Sequence, residues 1–192
     1  MGEPAGERIP DEWLWAEYWT RYFTDRQWRH SWVVERRHDG RVVGYLTGTA
    51  DVRRFDRYVP FLLPGLVGRI VRKRLISRRA TRRATIAMLR SILSGGMALP
   101  GGIARRYPAT LHMNLLPEAR RRGLGGRLFA LFLDRMRSLA VRGVHAQVLS
   151  LNEPIRGFLH KAGFDLVARR PLNAFAHAHP GGVEIHTWVL PL

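Results

Sequence analysis

Apolar and polar residues alternate along several short stretches of the chain, and this alternation predicts β-strands. Residues 31–37 and 41–49 alternate in this way on either side of Asp39-Gly40, a dipeptide typical of tight hairpin turns. Further β-type runs cover residues 110–116, 145–151, 164–170 and 182–190. The pattern therefore predicts six strands, of which the first two form a hairpin.

Between these strands, apolar residues recur every three or four positions, which predicts helices. One such stripe covers residues 124–142 and ends at Gly143, the expected C-cap. A shorter helix covers residues 154–162 and is stopped by Gly163. An aromatic-rich helix is expected over residues 11–28, where the aromatic face either packs in the core or lines a ligand pocket.

About fifty residues, 52–100, separate the second predicted strand from the third. They predict a helix from Phe61 to Ile76, with breaks at Pro60, Pro64 and Gly65, and another from Arg78 to Leu93. An insertion of this length is typical of a cap over a cleft. Because arginines stand beside apolar residues, a helix lying on a membrane surface is the alternative. We expect one α/β domain over residues 1–192, with residues 52–100 as a basic helical insertion.

The charge of the chain is strongly positive, at +17 over 192 residues, and arginine supplies almost all of it, since Lys73 and Lys161 are the only lysines. Such an arginine bias is typical of a GC-rich genome and need not reflect function. Residues 53–90, however, hold twelve basic residues and one acid, Asp56. A face this basic would attract coenzyme A, nucleic acid or an anionic membrane. Nucleic acid is the least favoured of these, because only three aromatic residues are interleaved with the arginines.

The chain contains no cysteine, so disulfides, thiol nucleophiles and thiolate metal sites are excluded. The first residues lack the basic and apolar regions of a signal peptide, and the longest uncharged stretches are too short to cross a bilayer. We therefore expect a cytoplasmic protein. His177, His179 and His186 lack a matched carboxylate or thiolate, and we expect no metal.

The segment Arg120-Arg121-Arg122-Gly123-Leu124-Gly125 follows a predicted strand and opens a predicted helix. The unpaired N–H groups at a helix start and the helix dipole both favour an anion. Glycines let the backbone approach a bulky phosphate, and the arginines, with Arg127, add positive charge. The turn therefore predicts a pyrophosphate site. It lacks the Gly-Lys-Ser/Thr ending of a P-loop and the glycine spacing of a dinucleotide fold.

Two blocks resemble the GNAT acetyltransferase superfamily. Leu115-Leu116-Pro117-Glu118-Ala119-Arg120-x-x-Gly123-x-Gly125 is similar to its acetyl-CoA signature, and the block from Asn152 to Gly163-Phe164 is similar to its Asn-x-x-Ala-x-x-Phe-Tyr-x-x-x-Gly-Phe motif. The resemblance implies a mixed central β-sheet flanked by helices, with the insertion between the third and fourth family strands. It also implies an N-acetyltransferase that uses acetyl-CoA as co-substrate. The cofactor-binding positions it implies are Leu115, Leu116, Arg120, Arg121, Arg122, Gly123, Leu124, Gly125, Gly126 and Asn152.

The catalytic groups are less well marked. The family's usual acid, the tyrosine of its Phe-Tyr pair, is replaced by Leu159, which has no proton to give. For a base, His112 and Asn114 share one face of the third strand and Tyr107 lies near its start. A buried, hydrogen-bonded core residue is the alternative for His112. The acceptor would be a small amine, an aminosugar, a peptide N-terminus or a lysine. A catalytically silent acyl-CoA-binding protein is the alternative function, together with a protein that binds nucleic acid or a membrane surface.

Overall fold

The computed structural model describes residues 20–72, 98–172 and 182–192. The strands are β1 Ser31–Glu35, β2 Val42–Thr49, β3 Ala109–Leu115, β4 Gly143–Leu149, β5 Asp165–Pro171 and β6 Glu184–Pro191. The helices are α1 at residues 20–26, α2 Val52–Arg72, α3 Ile103–Arg106, α4 Leu124–Ser138 and α5 Glu153–Lys161. Short 3-10 turns lie at Trp28–His30 and Pro117–Ala119. The predicted β-β-(α)-β-α-β-α-β-β order is confirmed.

The six strands form one mixed sheet in the order β1-β2-β3-β4-β6-β5. Every neighbouring pair is antiparallel except β3 and β4, which run parallel. That parallel ladder holds only two residue pairs, Ala109 with Val144 and Thr110 with His145. Beyond these pairs the two strands part, which leaves an opening between Leu111–Leu115 on β3 and Ala146–Leu149 on β4.

One face of the sheet is apolar and is covered by α4 and α5. Phe132 and Met136 on α4 are fully buried there against Leu46 and Val144. The packing is close enough that a Cβ at Gly48 would overlap the Phe132 ring. Burying apolar surface on one side of the sheet supplies the main stabilising free energy of a domain this size.

The opposite face of β2, β3 and β4 is polar. Thr47, Thr49 and Thr110 share this face with His112 and His145, as the strand register requires. Helices α1 and α2 lie over it through stacked and edge-on aromatic rings, including Phe23 and Phe55 at 5.6 Å between ring centroids. The two faces of one sheet therefore have different chemistry.

Helix α2 corrects the prediction for the insertion. It begins at Val52, ahead of the expected Phe61, and it continues without a break through Pro60 and Pro64. Both prolines are exposed, so the carbonyls that lose a backbone donor at these positions can bind water instead. Buried Val52 and Leu62 also anchor the helix on either side of Pro60. The predicted helix Arg78–Leu93 lies outside the described residues, as does most of the predicted helix 11–28.

The end of α4 also differs from the prediction. The helix ends at Ser138, and the residue with positive φ after it is Ala140, at 51°, so Gly143 is not the cap. Ala140 donates to Arg137 at 2.9 Å and Val141 to Met136 at 3.1 Å, the two hydrogen bonds of a Schellman motif. Gly143 instead begins β4, where a Cβ would collide with the Tyr107 ring and lie 2.8 Å from the Leu190 carbonyl oxygen. Gly163 ends α5 with a φ of 84°, as predicted.

Candidate functional site

The glycine turn joins β3 to α4 as the sequence predicts. Gly123 has a φ of 74° and precedes the helix, which starts at Leu124 with no side-chain cap. Arg127 donates its N–H to the Gly123 carbonyl at 3.1 Å, which is the first hydrogen bond of the helix. The N–H groups of the three residues before Arg127 therefore have no acceptor within the helix. They point outward at its positive end and can bind an anion.

Arginines surround this turn in two roles. Arg120 donates from Nε to the Leu115 carbonyl at 2.9 Å, so its side chain ties the turn to the end of β3. Arg121, Arg122 and Arg127 are exposed to solvent. Arg121 also adopts a φ of 58°, which is uncommon for a residue other than glycine and bends the chain sharply into the helix. Arg120 is thus part of the turn's own structure, and the other three arginines have exposed side chains.

Gly125 and Gly126, in the first turn of α4, leave the backbone uncovered by side chains. A Cβ built at Gly125 would lie 3.6 Å from Leu115 Cδ1 and from Met113 Cε, which is ordinary contact. A Cβ at Gly126 would have no atom of the described residues within 4 Å. The protein's own packing therefore does not require glycine at either position. A ligand that approaches the backbone closely would require it.

The edge of β3 faces the opening in the sheet. Leu116 donates its N–H to Val43 at 2.8 Å, and its carbonyl accepts from Ala119 at 2.9 Å. Both backbone groups of Leu116, an expected cofactor contact, are thus used within the protein. Because successive residues of a strand alternate in direction, the backbone groups of Met113 and Leu115 point away from β2, toward the opening.

The other side of the opening is formed by the end of β4 and the start of α5. Asn152 occupies the N-cap position of α5, yet its side chain makes no capping hydrogen bond. It is buried, with 4% of its surface exposed. Leu159, the position of the expected acid, is also buried and belongs to the same core cluster as Phe129 and Phe164. The Leu159 side chain is therefore part of the core and does not provide a polar group to the opening.

The three candidate catalytic residues are spread along the polar face. His112 lies in the middle of β3, where the Phe23 ring meets its ring edge-on at 5.3 Å between centroids. Burial, followed by the neighbouring His145, lowers the pKa of His112 to about 4. The imidazole is consequently neutral at physiological pH and is a weak base. Asn114 is exposed at the end of the strand nearest the glycine turn, and Tyr107 lies at the opposite end.

His145 was missed by the sequence reasoning. It is buried, and its Nδ1 lies 2.6 Å from the Tyr107 carbonyl oxygen, so that nitrogen carries the proton and donates. Burial lowers the pKa of His145, and the hydrogen bond to Tyr107 offsets part of this effect. Its pairing with Thr110 places it beside His112. No sequence signal gives this arrangement, because it depends on the short parallel ladder.

A small cleft of about 220 Å³ lies near the glycine turn. Its walls are mostly apolar and include Val42 and Val43, with Tyr45 and Asn114 as the side chains that can hydrogen-bond. Tyr45 and Asn114 are directly opposite one another on β2 and β3. Burial raises the pKa of Tyr45, so its hydroxyl stays protonated at physiological pH.

Within residues 20–72, 98–172 and 182–192, no group of three or more His, Cys, Asp or Glu side chains is placed to hold a metal ion. His186 contacts Glu184 at 3.0 Å, whereas His177 and His179 lie outside these ranges. In the same part of the chain, no helix combines the length and the apolar character needed to span a bilayer.

Comparison with solved structures identifies several with the same arrangement. The structure of SsHAT matches 97% of this chain and 84% of its own length, with a TM-score of 0.67 and 25% sequence identity. A polyamine N-acetyltransferase from Drosophila melanogaster, which forms N-acetylagmatine, matches 90% of this chain and 79% of its own, with a TM-score of 0.52 and 16% identity. A ribosomal-protein-alanine N-acetyltransferase from Brucella melitensis matches 90% and 75%, with a TM-score of 0.50 and 14% identity.

Comparison by sequence alone gives no such match. No protein-family model matches the chain, and no curated protein matches it. At identities this low, the shared property is the fold.

Proposed function

Because the chain has the fold of the GNAT acetyltransferase superfamily, we propose that it transfers an acetyl group from acetyl-CoA to an amine by direct attack. The observation that carries this proposal is the uncapped start of α4 beside the opening between β3 and β4. A donor-rich turn and a strand edge next to each other suit a ligand with a pyrophosphate at one end and an amide-containing arm at the other.

The pyrophosphate is proposed to accept hydrogen bonds from the N–H groups of Leu124, Gly125 and Gly126. Exposed Arg121, Arg122 and Arg127 would contribute charge-assisted contacts, which are stronger than those between neutral groups. Gly123 provides the left-handed backbone that opens the helix toward the ligand. Arg120 is assigned a supporting role, because its guanidinium already holds Leu115.

The amide-containing arm is proposed to lie along β3 as an added strand. Met113 would supply both of its backbone groups and Leu115 its N–H, since the Leu115 carbonyl already accepts from Arg120 Nε. These two residues replace Leu116, whose N–H and carbonyl are both engaged within the protein. Asn152 would contact the arm from the side of β4. The thioester would then lie deeper in the opening, toward the point where β3 and β4 meet at Thr110 and His145.

In the transfer, the amine nitrogen attacks the thioester carbonyl, the new C–N bond forms, and the C–S bond breaks. His112 is a poor general base for this step, because a base works best when its pKa is near the working pH. We propose that the amine loses its proton to water and that coenzyme A leaves as the thiolate, since Leu159 offers no acid. The amine must reach the thioester near Thr110 and His145, whereas Tyr45 and Asn114 line the small cleft at the end of β3 nearer the glycine turn, so these two side chains are not assigned to the acceptor.

The decisive experiment measures stabilisation by acetyl-CoA. At about a hundredfold its dissociation constant, the ligand should stabilise the protein by about 2.7 kcal/mol, seen as a shift in the thermal unfolding midpoint. Gly126→Val should abolish most of this shift while leaving the unliganded protein folded, because a Cβ at this position has no atom from another part of the described chain within 4 Å. Ala130→Val, at an exposed site on the same helix, should retain it. A shift that is absent in the unmodified protein, or equal in both variants, would contradict the proposed binding site.

Transfer itself is tested by thiol release with a panel of small amines, beginning with polyamines and agmatine. The rate should rise with pH as the amine loses its proton, without an acid limb at high pH. Tight binding of acetyl-CoA without release of the coenzyme A thiol for any amine would contradict acetyl transfer and would indicate an acyl-CoA-binding protein.

A further inference from the structure

A second cleft, of about 400 Å³, lies between three segments that are far apart in the sequence. They are the 3-10 turn Trp28–His30 with the end of α1, the connection from β2 to α2, and the C-terminal end of α4. The glycine turn lies at the other end of α4. Fifteen residues of helix span about 22 Å, so this cleft is separate from the proposed pyrophosphate site.

Four arginines line this second cleft: Arg26, Arg29, Arg54 and Arg135. None of them forms an ion pair with another described residue. Asp51 also lines the cleft, but its carboxylate accepts from Arg53 at 2.8 and 3.0 Å, and Arg53 is not a lining residue.

Two of these guanidinium groups are held in place by aromatic rings. Arg26 lies 5.6 Å from the centroid of the Tyr58 ring, and Arg29 lies 5.1 Å from that of Trp28. Such cation–π contacts restrict the side chain without neutralising its charge. The cleft thus keeps a net positive charge of about three with partly ordered donors.

Two buried polar atoms at the cleft lack a hydrogen-bond partner in the described part of the chain. They are His30 Nδ1 and Arg135 Nε. His30 is 9% exposed, and burial together with the Arg135 charge lowers its pKa. A buried polar atom without a partner costs free energy, and native proteins rarely keep one without a reason. An oxyanion in the cleft would give Arg135 and His30 a partner.

We propose that this cleft is a binding site for a small phosphorylated molecule, distinct from the acetyl-CoA site. Guanidinium groups match the geometry of phosphate oxygens in a bidentate way, and four of them converge here. The volume exceeds that of a phosphate group alone, and Trp28, Leu139 and Val141 supply an apolar wall for the rest of the molecule. The helix dipole at the C-terminal end of α4 disfavours anions, so the charged side chains must supply the attraction.

The test is calorimetric titration of the full chain with three probes at constant ionic strength: inorganic phosphate, glucose 6-phosphate and glucose. We expect glucose 6-phosphate to bind more tightly than inorganic phosphate, and glucose not to bind. Arg54→Gln and Arg135→Gln should each weaken binding by about tenfold or more, because each removes a charge-assisted hydrogen bond. Arg137→Gln is the matched control on α4, since Arg137 is exposed and pairs with Asp134 outside the cleft.

His30→Gln provides a second variant should either arginine variant fail to fold, and it should also weaken binding. Acetyl-CoA affinity should stay unchanged in all of these variants, which separates this site from the proposed cofactor site. No heat with either phosphate probe at millimolar concentration, or equal weakening by Arg137→Gln, would overturn the proposal. Displacement of glucose 6-phosphate by acetyl-CoA would overturn it as well, and so would tight, steeply salt-dependent binding of a DNA duplex without binding of the small probes.

Discussion

The two faces of the central sheet perform different tasks with the same strands. On the side of α4 and α5, Leu46 and Val144 join Phe132 and Met136 in a dry, closely packed core. On the side of α1 and α2, Thr47 shares the face with His112 and His145, and the Phe23 ring packs edge-on against His112. Alternation along each strand permits this division. Stability is concentrated on one face, so the other can keep polar groups in positions where a core would exclude them.

The largest effect is expected from removing a side chain of the apolar face. Phe132→Ala should destabilise the fold by about 3–5 kcal/mol, since the ring is fully buried and fills the space over Gly48. Denaturant unfolding measures the effect. Leu131→Ala, at a largely exposed position on the same helix, should cost much less. Equal losses for the two variants would show that the face of α4 toward the sheet is not the main core.

The polar face should determine how stability depends on pH. His112 titrates at about 4 in the folded protein, and an unfolded histidine titrates near 6.5. Between these values the unfolded chain binds more protons, so stability is retained above about pH 6.5 and falls as the pH drops toward 4. The loss attributable to His112 is up to about 3 kcal/mol.

Denaturant unfolding at several pH values tests this dependence. His112→Gln should flatten it. His38→Gln, at an exposed histidine, should leave the profile unchanged. An unaltered profile in His112→Gln would contradict the assigned pKa and its cause. His145, whose pKa is also lowered by burial, should leave a dependence of the same sign in that variant.

A tyrosine at position 159 tests whether a side chain on the apolar face can replace the missing acid. Leu159→Tyr should destabilise by about 1–3 kcal/mol, because it adds volume and a hydroxyl to a packed cluster. We expect no increase in turnover, since the side chain belongs to the core. His160→Tyr, next to it and exposed, is the stability control. Faster thiol release in Leu159→Tyr would mean that this side chain can reach the thioester.

The smallest effect is expected on the polar face. Thr47 is buried, and its Oγ1 has no partner among the described residues. Thr47→Val removes that hydroxyl at nearly constant volume, so stability should change by less than about 1 kcal/mol, or rise. A loss of more than about 2 kcal/mol would show that the hydroxyl has a partner, such as bound water.

Patterning predicted the six strands, the order of the elements and the glycine turn, because each depends on residues close together in the sequence. Alternation marked the β1–β2 hairpin, and the start of α4 was placed at the correct residue. The prolines of α2 were misleading, because an exposed helix face tolerates the loss of a backbone donor. The role of Gly143 was also misjudged, since the Tyr107 ring that excludes a side chain there comes from another element.

Only the part of the candidate site that lies within one short sequence motif could be predicted. The turn from Arg120 to Gly126 was identified, but the engagement of Leu116 with Val43 depends on the β2–β3 register. The pairing of His145 with Tyr107 needs the β3–β4 ladder. The arginine cleft joins residues that are about a hundred positions apart, and no short window of sequence could reveal it.

The brief contact between β3 and β4 has a mechanical consequence. Two residue pairs are all that join the half of the sheet containing β1–β3 to the half containing β4–β6 in the backbone ladder. This short ladder could therefore act as a hinge. Apart from it, the two halves are held together by side chains of α4 and α5, which pack in one core cluster with residues from both halves. Any molecule that hydrogen-bonds to both strands across the gap would add backbone contacts between the two halves, and we would expect it to stiffen the sheet.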